Sequence, residues 1–368
     1  MGHRVAALAS VLVALVGTSA ALGAGVERFS LRLPDGIVLP ASAEEPAPPA
    51  PGQRVVILLH GSGPQDMDED LSGVSQPGIV NRFFVDLSTA LRERGFTVVR
   101  YNKRSREARV RLQADPSYAK TKSFKDYASH PLAFFVDDAR AAVRWSAKRY
   151  PKAGIFLLGH SEGGIVALHV ARREKAVSGV GIIGFGATSL DTTLFEQVVV
   201  RQIPAFEAID ADHDGRISGT ELNGSAPLAV ALKAQMSVVD LDGDGAVSRD
   251  EFLGAQLSNI VVDAPRDSMR EYRRDEAALP RAAEEIRDLA IPVAIFQGEW
   301  DNQTPAYHAR AVELLNRMVW KKTNLSFWYY PRLGHALDSR PSPGDLVFRH
   351  ADAEALASVA ARLDALSR

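Results

Sequence analysis

The stretch LLGHSEGGIVAL, residues 157–168, decides the fold. Gly159 and Gly163 flank Ser161 in a G-x-S-x-G pattern, with an apolar run before it and an apolar helical pattern after it. A serine raised out of a tight strand-to-helix turn needs neighbours without Cβ atoms, and the turn leaves its hydroxyl exposed above the edge of a sheet. Glycine pairs also occur in ordinary turns. The strand before and the helix after make Ser161 a candidate nucleophile.

Outward from this turn the chain alternates. Short apolar runs begin at Val55, Phe96, Gly154, Val177, Ile291 and Leu325, separated by helical stretches such as PLAFFVDDARAAVRWSAKRY. Runs that are apolar throughout, rather than at every second residue, predict strands covered on both faces, as in a parallel sheet. Strand, helix and strand repeated in this way give a doubly wound, mostly parallel α/β sheet. Ahead of it, ERFSLRLPDGIVLPASA predicts two antiparallel edge strands turning at Asp35-Gly36, and the proline-rich EEPAPPAPG reads as a linker.

A serine hydroxyl becomes a useful nucleophile when a histidine takes its proton and a carboxylate orients that histidine. VAIFQGEWDNQTP places Asp301 in the loop after one strand, and FWYYPRLGHALD places His335 after the next, which gives the order serine, acid, histidine. Glu299 and Asp338 are weaker acid candidates, and His308 and His350 weaker bases. His130, His160, His169 and His213 read as structural or solvent-facing. VVILLHGSGPQD ends a strand in a glycine loop, so the backbone N–H groups of Ser62 and of Glu162 are the candidate donors for a developing oxyanion.

The motifs HGSGPQDMDED, RYNKRS, GHSEGG, QGEWDNQTP and GHALD, in this order, resemble the α/β-hydrolase superfamily, in particular bacterial serine esterases. The resemblance covers about Val55 to Leu190 and Ile291 to the C-terminus, with Met67 and Asn102 standing where that family usually has arginine and aspartate. It implies an α/β-hydrolase fold and hydrolysis of small carboxylic esters through an acyl-serine intermediate, without an organic cofactor. Peptide hydrolysis and acyl transfer use the same triad and stay open, as does a calcium-binding protein on an idle hydrolase scaffold.

Between the strand that follows the Ser161 helix and the strand that leads to Asp301 lies an insertion, 189–290, carrying AIDADHDGRISGTEL and VVDLDGDGAVSRDEF. These are two complete EF-hand loops, with calcium ligands expected from Asp210, Asp212, Asp214, the Arg216 carbonyl, Ser218 and Glu221, and from Asp240, Asp242, Asp244, the Ala246 carbonyl, Ser248 and Glu251. Two calcium ions are expected. Ile217 and Val247 stand at matching positions where such loops pair. The insertion is predicted to form or brace a helical cap above Ser161, dividing the chain into 25–188, 189–290 and 291–368.

The 368 residues carry a net charge of -2, 46% apolar and 24% charged residues, a balance of ordinary globular chains. No basic run is present to meet a phosphate backbone, so nucleic acid is not an expected partner. Residues 1–24 have Arg4, an apolar core shorter than the ~20 residues of a bilayer crossing, and small residues near Ala20 and Ala24, which predicts a cleaved signal peptide and no permanent membrane anchor. The chain lacks cysteine, which excludes disulfides and thiolate chemistry. An exported chain without disulfides is expected in a periplasm or the medium.

Overall fold

The computed structural model describes residues 25–46, 54–263 and 267–366. The expected signal peptide and residues 47–53 of the linker lie outside them. The described residues form ten strands: β1 (Val26–Arg32), β2 (Val38–Glu44), β3 (Arg54–Leu59), β4 (Thr97–Tyr101), β5 (Gly154–His160), β6 (Val177–Ile183), β7 (Arg216–Ile217), β8 (Val247–Ser248), β9 (Val293–Gly298) and β10 (Leu325–Tyr330). Eight form one sheet in the order β1-β2-β4-β3-β5-β6-β9-β10. β1 and β2 are antiparallel, β2 is antiparallel to β4, and every later pairing is parallel. At the first hairpin Gly36 adopts φ +83°, and the Ile37 N–H donates to Asp35 Oδ1 at 3.2 Å.

The uninterrupted apolarity of the central strands has a direct structural counterpart. Val55, Ile57 and Leu59 of β3 point into one hydrophobic layer, whereas Val56 and Leu58 point into the other. The first layer is closed by the helices Pro131–Arg149 and Glu162–Arg173, and the second by Phe83–Glu93 and Ala353–Leu366. Burial of Phe83, Phe84, Leu87 and Leu91 on a single helix face stabilises the second layer by about 1.5–3 kcal/mol per side chain. The parallel strands all run the same way, so the loops after β3, β5, β9 and β10 gather at one end of the sheet, where ligands bind in open α/β sheets.

Residues 203–252 build a separate small core around Phe206, Ile217, Leu222, Leu232, Val239, Val247 and Phe252. The Phe206 and Phe252 rings lie 5.2 Å apart. β7 and β8 pair antiparallel with Ile217 opposite Val247, the register expected from the sequence. The helix Arg249–Asp263 carries this unit against the helix Leu190–Val198.

Candidate active site

Ser161 sits between β5 and the helix Glu162–Arg173 with φ +54° and ψ -120°, a conformation that costs a non-glycine residue of order 1–3 kcal/mol. The surroundings hold it there. A Cβ on Gly159 would collide with the Gly163–Gly164 backbone, and one on Gly163 with the Leu59 carbonyl at the end of β3. The Ser161 N–H donates to the Ile183 carbonyl at 2.8 Å. The next residue, Gly184, lies against the His335 ring, whose atoms would be 2.8 Å from a Cβ placed on it. The end of β6 therefore touches both Ser161 and His335.

His335 Nδ1 is 2.8 Å from Asp301 Oδ2, and both residues are buried. Asp301 is saturated with donors. Its Oδ2 accepts from Gln297 Nε2 and Thr304 Oγ1, each at 2.9 Å, and its Oδ1 accepts from the backbone N–H groups of Gln303 and Thr304 at 2.8 and 2.9 Å. Burial pushes its pKa up, but the His335 ring and these N–H donors outweigh it and hold the carboxyl down at about 2. With Nδ1 engaged by Asp301, Nε2 is the nitrogen left for Ser161. Gln297 is fixed in turn, since its Oε1 accepts from the Phe185 N–H at 3.0 Å.

The loop after β3 is clamped on several sides. The Gly61 N–H donates to Glu69 Oε1 at 2.7 Å, the same oxygen that meets His160 Nδ1 at 2.9 Å. Burial lowers the His160 pKa, but the buried Glu69 carboxylate wins and raises it above its ordinary value. The His160 ring packs 4.8 Å from that of His335. Lys103 Nζ donates to the Gly61 carbonyl at 2.7 Å and pairs with Glu162 at 3.2 Å. Glu162 opens its helix, so its N–H has no acceptor within that helix, and among the described residues no group accepts the Ser62 N–H. Met67 and Asn102, the two departures from the resembled pattern, meet each other: Asn102 Oδ1 accepts from the Met67 N–H at 2.9 Å.

Above Ser161 opens a cavity of about 1130 Å³, lined by Ser62, Ser161 and Glu162 at its floor. Its walls come from two places. Leu190, Leu194 and Tyr272 belong to the 189–290 insertion, but Ala108, Leu112, Phe124 and Tyr127 belong to the helices Arg104–Ala114 and Lys122–Ser129 of segment 25–188, so the insertion does not form the cap alone. Among the described residues none of 210–221 or 240–251 lines the cavity; that unit packs on the helix Leu190–Val198, whose Leu190 and Leu194 do.

The remaining candidates are engaged elsewhere. Glu299 is exposed and pairs with Arg310, and Asp338 is buried against Arg340 in the loop that follows His335. His308 receives the Ala187 N–H at Nδ1 and meets Glu196 at Nε2, so it has no free nitrogen. His350 faces Asp86 at 3.9 Å, His130 meets Asp275 and His169 meets Glu285, both at 2.8 Å. His213 is exposed at φ +60°. In the insertion the carboxylate oxygens of Asp210, Asp212 and Asp214 converge within 4.8 Å, as do those of Asp240, Asp242 and Asp244. Glu221 and Glu251 close their loops by accepting from the N–H groups of Ala211 and Leu241 and of Ser218 and Ser248. The sequence reading missed Gln297, Thr304, Glu69 and Lys103. Of these only Thr304 carried a local signal, because an aspartate three residues before a threonine can accept two successive backbone N–H groups.

Together these features define a doubly wound sheet with a serine, histidine and carboxylate at the ends of its strands. A profile described as "Alpha/beta hydrolase family" matches residues 56–359, and the chain belongs to that family. It is 31% identical over 143 residues to Esterase EstD of Thermotoga maritima, covering 39% of this chain and 29% of that protein. It is 34% identical over 88 residues to Polcalcin Cup a 4 of Hesperocyparis arizonica, covering 22% and 53%. The matched stretches thus span about a third and about half of those relatives. Est1E from Butyrivibrio proteoclasticus is a similar solved structure, at 15% identity, 94% and 100% coverage and a TM-score of 0.46.

The depressed Asp301 pKa has a thermodynamic consequence. Unfolded aspartate titrates near ~3.9, so ionised Asp301 contributes stability that is fully present above about pH 5 and is lost as pH falls towards about 2. Asp301→Asn should be less stable than wild type at pH 7 by on the order of 2 kcal/mol, and the gap should close at acid pH. Urea unfolding of both proteins across that range checks this; a gap independent of pH would contradict it.

Proposed function

We propose that this protein hydrolyses carboxylic esters of small molecules through an acyl intermediate on Ser161. The observation that carries the reading is the His335–Asp301 pair at 2.8 Å, linked through Ile183 and Gly184 at the end of β6 to a strained Ser161 on the cavity floor. Ser161 Oγ attacks the acyl carbon while His335 Nε2 takes its proton, and the carbonyl oxygen becomes an oxyanion facing the N–H groups of Ser62 and Glu162. The alcohol then leaves with the proton from His335, and a water, deprotonated by the same nitrogen, releases the acid. Asp301 stays ionised throughout. The apolar side chains of Leu112, Phe124, Ile165, Leu190 and Leu194 among the cavity walls suit an apolar acyl chain.

Ser161→Ala should fold normally and lose p-nitrophenyl butyrate hydrolysis by at least about 10⁴-fold. Retention of more than a hundredth of the wild-type rate would overturn the nucleophile assignment.

Calcium belongs to the same proposal. Each loop of the insertion offers three converging aspartates, a glutamate at the twelfth position and a glycine, Gly215 or Gly245, at positive φ for the turn. An all-oxygen donor set of this charge fits a hard divalent cation. Asp210, Asp212, Asp214, the Arg216 carbonyl, Ser218 and Glu221 would hold one calcium ion, and Asp240, Asp242, Asp244, the Ala246 carbonyl, Ser248 and Glu251 the second. Bound calcium would relieve the repulsion among four carboxylates per loop and stiffen the unit that backs the helix Leu190–Val198. Chelation should lower the melting temperature by several degrees and change the preference between short and long acyl chains. If neither moves, the ions have no bracing role.

Export is the last element of the proposal and is supported by the residue pattern of 1–24. N-terminal sequencing of the secreted chain should begin near residue 25; an intact Met1 on exported protein would refute cleavage.

A further inference from the structure

The peptide unit joining Gly61 to Ser62 is planar, and in the ordinary trans form its C=O and N–H point in opposite directions. One end is the N–H of Ser62, a residue of the cavity lining and a proposed oxyanion donor. The other end, the Gly61 carbonyl, accepts from Lys103 Nζ at 2.7 Å. That ammonium lies 3.2 Å from a carboxylate oxygen of Glu162, the residue that supplies the second proposed donor. Lys103 and Glu162 are 5% and 9% exposed, so the pair is withdrawn from water and its charges are screened less than those of a surface pair.

Resting on the ester-hydrolase reading above, we propose that Lys103 is a positioning residue for acyl transfer. It holds the Gly61–Ser62 peptide with its N–H aimed at the oxyanion and polarises that N–H from behind. A cation at the carbonyl draws electron density along the peptide and makes the N–H a stronger donor, the cooperativity expected of linked hydrogen bonds at low dielectric. The pairing with Glu162 ties both donors to one ammonium. The same short segment is stitched to the loop at further points: the Lys103 N–H donates to the Gln65 carbonyl at 3.1 Å and Ser105 Oγ to the Gly63 carbonyl at 2.9 Å. The Phe135 ring lies 4.5 Å from Nζ and confines it on another side. Gly61 is thus gripped at its N–H by Glu69 and at its C=O by Lys103, a stronger restraint than an ordinary glycine loop would have.

The chain has no cysteine, which permits a clean chemical test. Lys103→Cys, made in the full chain, can be aminoethylated at its single thiol under denaturing conditions and refolded, restoring an ammonium at nearly the reach of lysine. Wild type, Lys103→Cys before and after modification, and Lys103→Met are compared for ester kinetics, melting temperature, and inhibition by an alkylboronic acid, which mimics the tetrahedral oxyanion, and by butyrate, which mimics the bound product. The expected result is a ten- to hundred-fold loss of kcat in both variants with KM within about three-fold. Boronate affinity should fall in parallel while butyrate affinity holds, and aminoethylation should recover kcat. Lys103→Met retains length and packing on Phe135, so it carries the same prediction should Lys103→Cys fail to fold. A folded variant with wild-type kcat overturns the inference, and so does a loss confined to KM or one that boronate and butyrate report equally. A wild type that hydrolyses no ester and whose Ser161 is not labelled by a fluorophosphonate overturns the ester-hydrolase reading, and this inference with it; the first outcomes leave that reading standing.

Discussion

The site depends on one backbone contact. Gly163, in the first turn of the helix that follows Ser161, lies so close to β3 that a single added methyl would strike the Leu59 carbonyl. This contact brings the start of the helix and the loop that follows β3 into one place, which is why Glu162 and Ser62 lie together on the cavity floor. It also forces the chain to climb steeply out of β5, and the strained φ and ψ of Ser161 are the consequence. A looser turn would leave a less strained serine with no loop beside it. The strain is held by tertiary packing and by the Ser161 N–H bond to Ile183 rather than by any preference of serine itself.

Around this contact three buried side-chain pairs form: Asp301–His335, Glu69–His160 and Glu162–Lys103. Losing one partner of such a pair is costly, but against an apolar replacement of both partners desolvation offsets their attraction, so what the pairs add is geometry. The first fixes the ring of His335. The second pins the Gly61 N–H and sets the His160 ring 4.8 Å from that of His335. The third grips the Gly61 carbonyl. Each pair thus sets the position of a backbone group or ring at the end of the sheet.

Much of this was legible in the residues. Continuous apolar runs marked the parallel strands because both faces of the sheet are covered, and Asp35-Gly36 marked the first hairpin because the turn needs positive φ. The G-x-S-x-G turn and the order of Ser161, Asp301 and His335 followed from local geometry and chain order. The second wall of the cavity was not legible. The helix Arg104–Ala114, RSREARVRLQA, has hardly any apolar face, so nothing in its periodicity distinguishes a cavity wall from a solvated helix. Lys103, Glu69 and Gln297 were equally silent, since their partners lie far away in the chain and a lone charged or amide residue at a strand end has no spacing rule. The insertion was the reverse case: its loops were plain in the sequence, yet their place outside the cavity, backing the helix Leu190–Val198, required the fold.

The measurement that bears most directly on the central claim is rapid-quench mass spectrometry of the wild-type protein mixed with p-nitrophenyl butyrate. An acyl-enzyme mechanism predicts a transient mass increase of one butyryl group, mapped to Ser161 by peptide analysis and absent in Ser161→Ala, with a half-life matching turnover. Ester hydrolysis that proceeds with no acyl adduct, or with the adduct on another residue, would contradict the account.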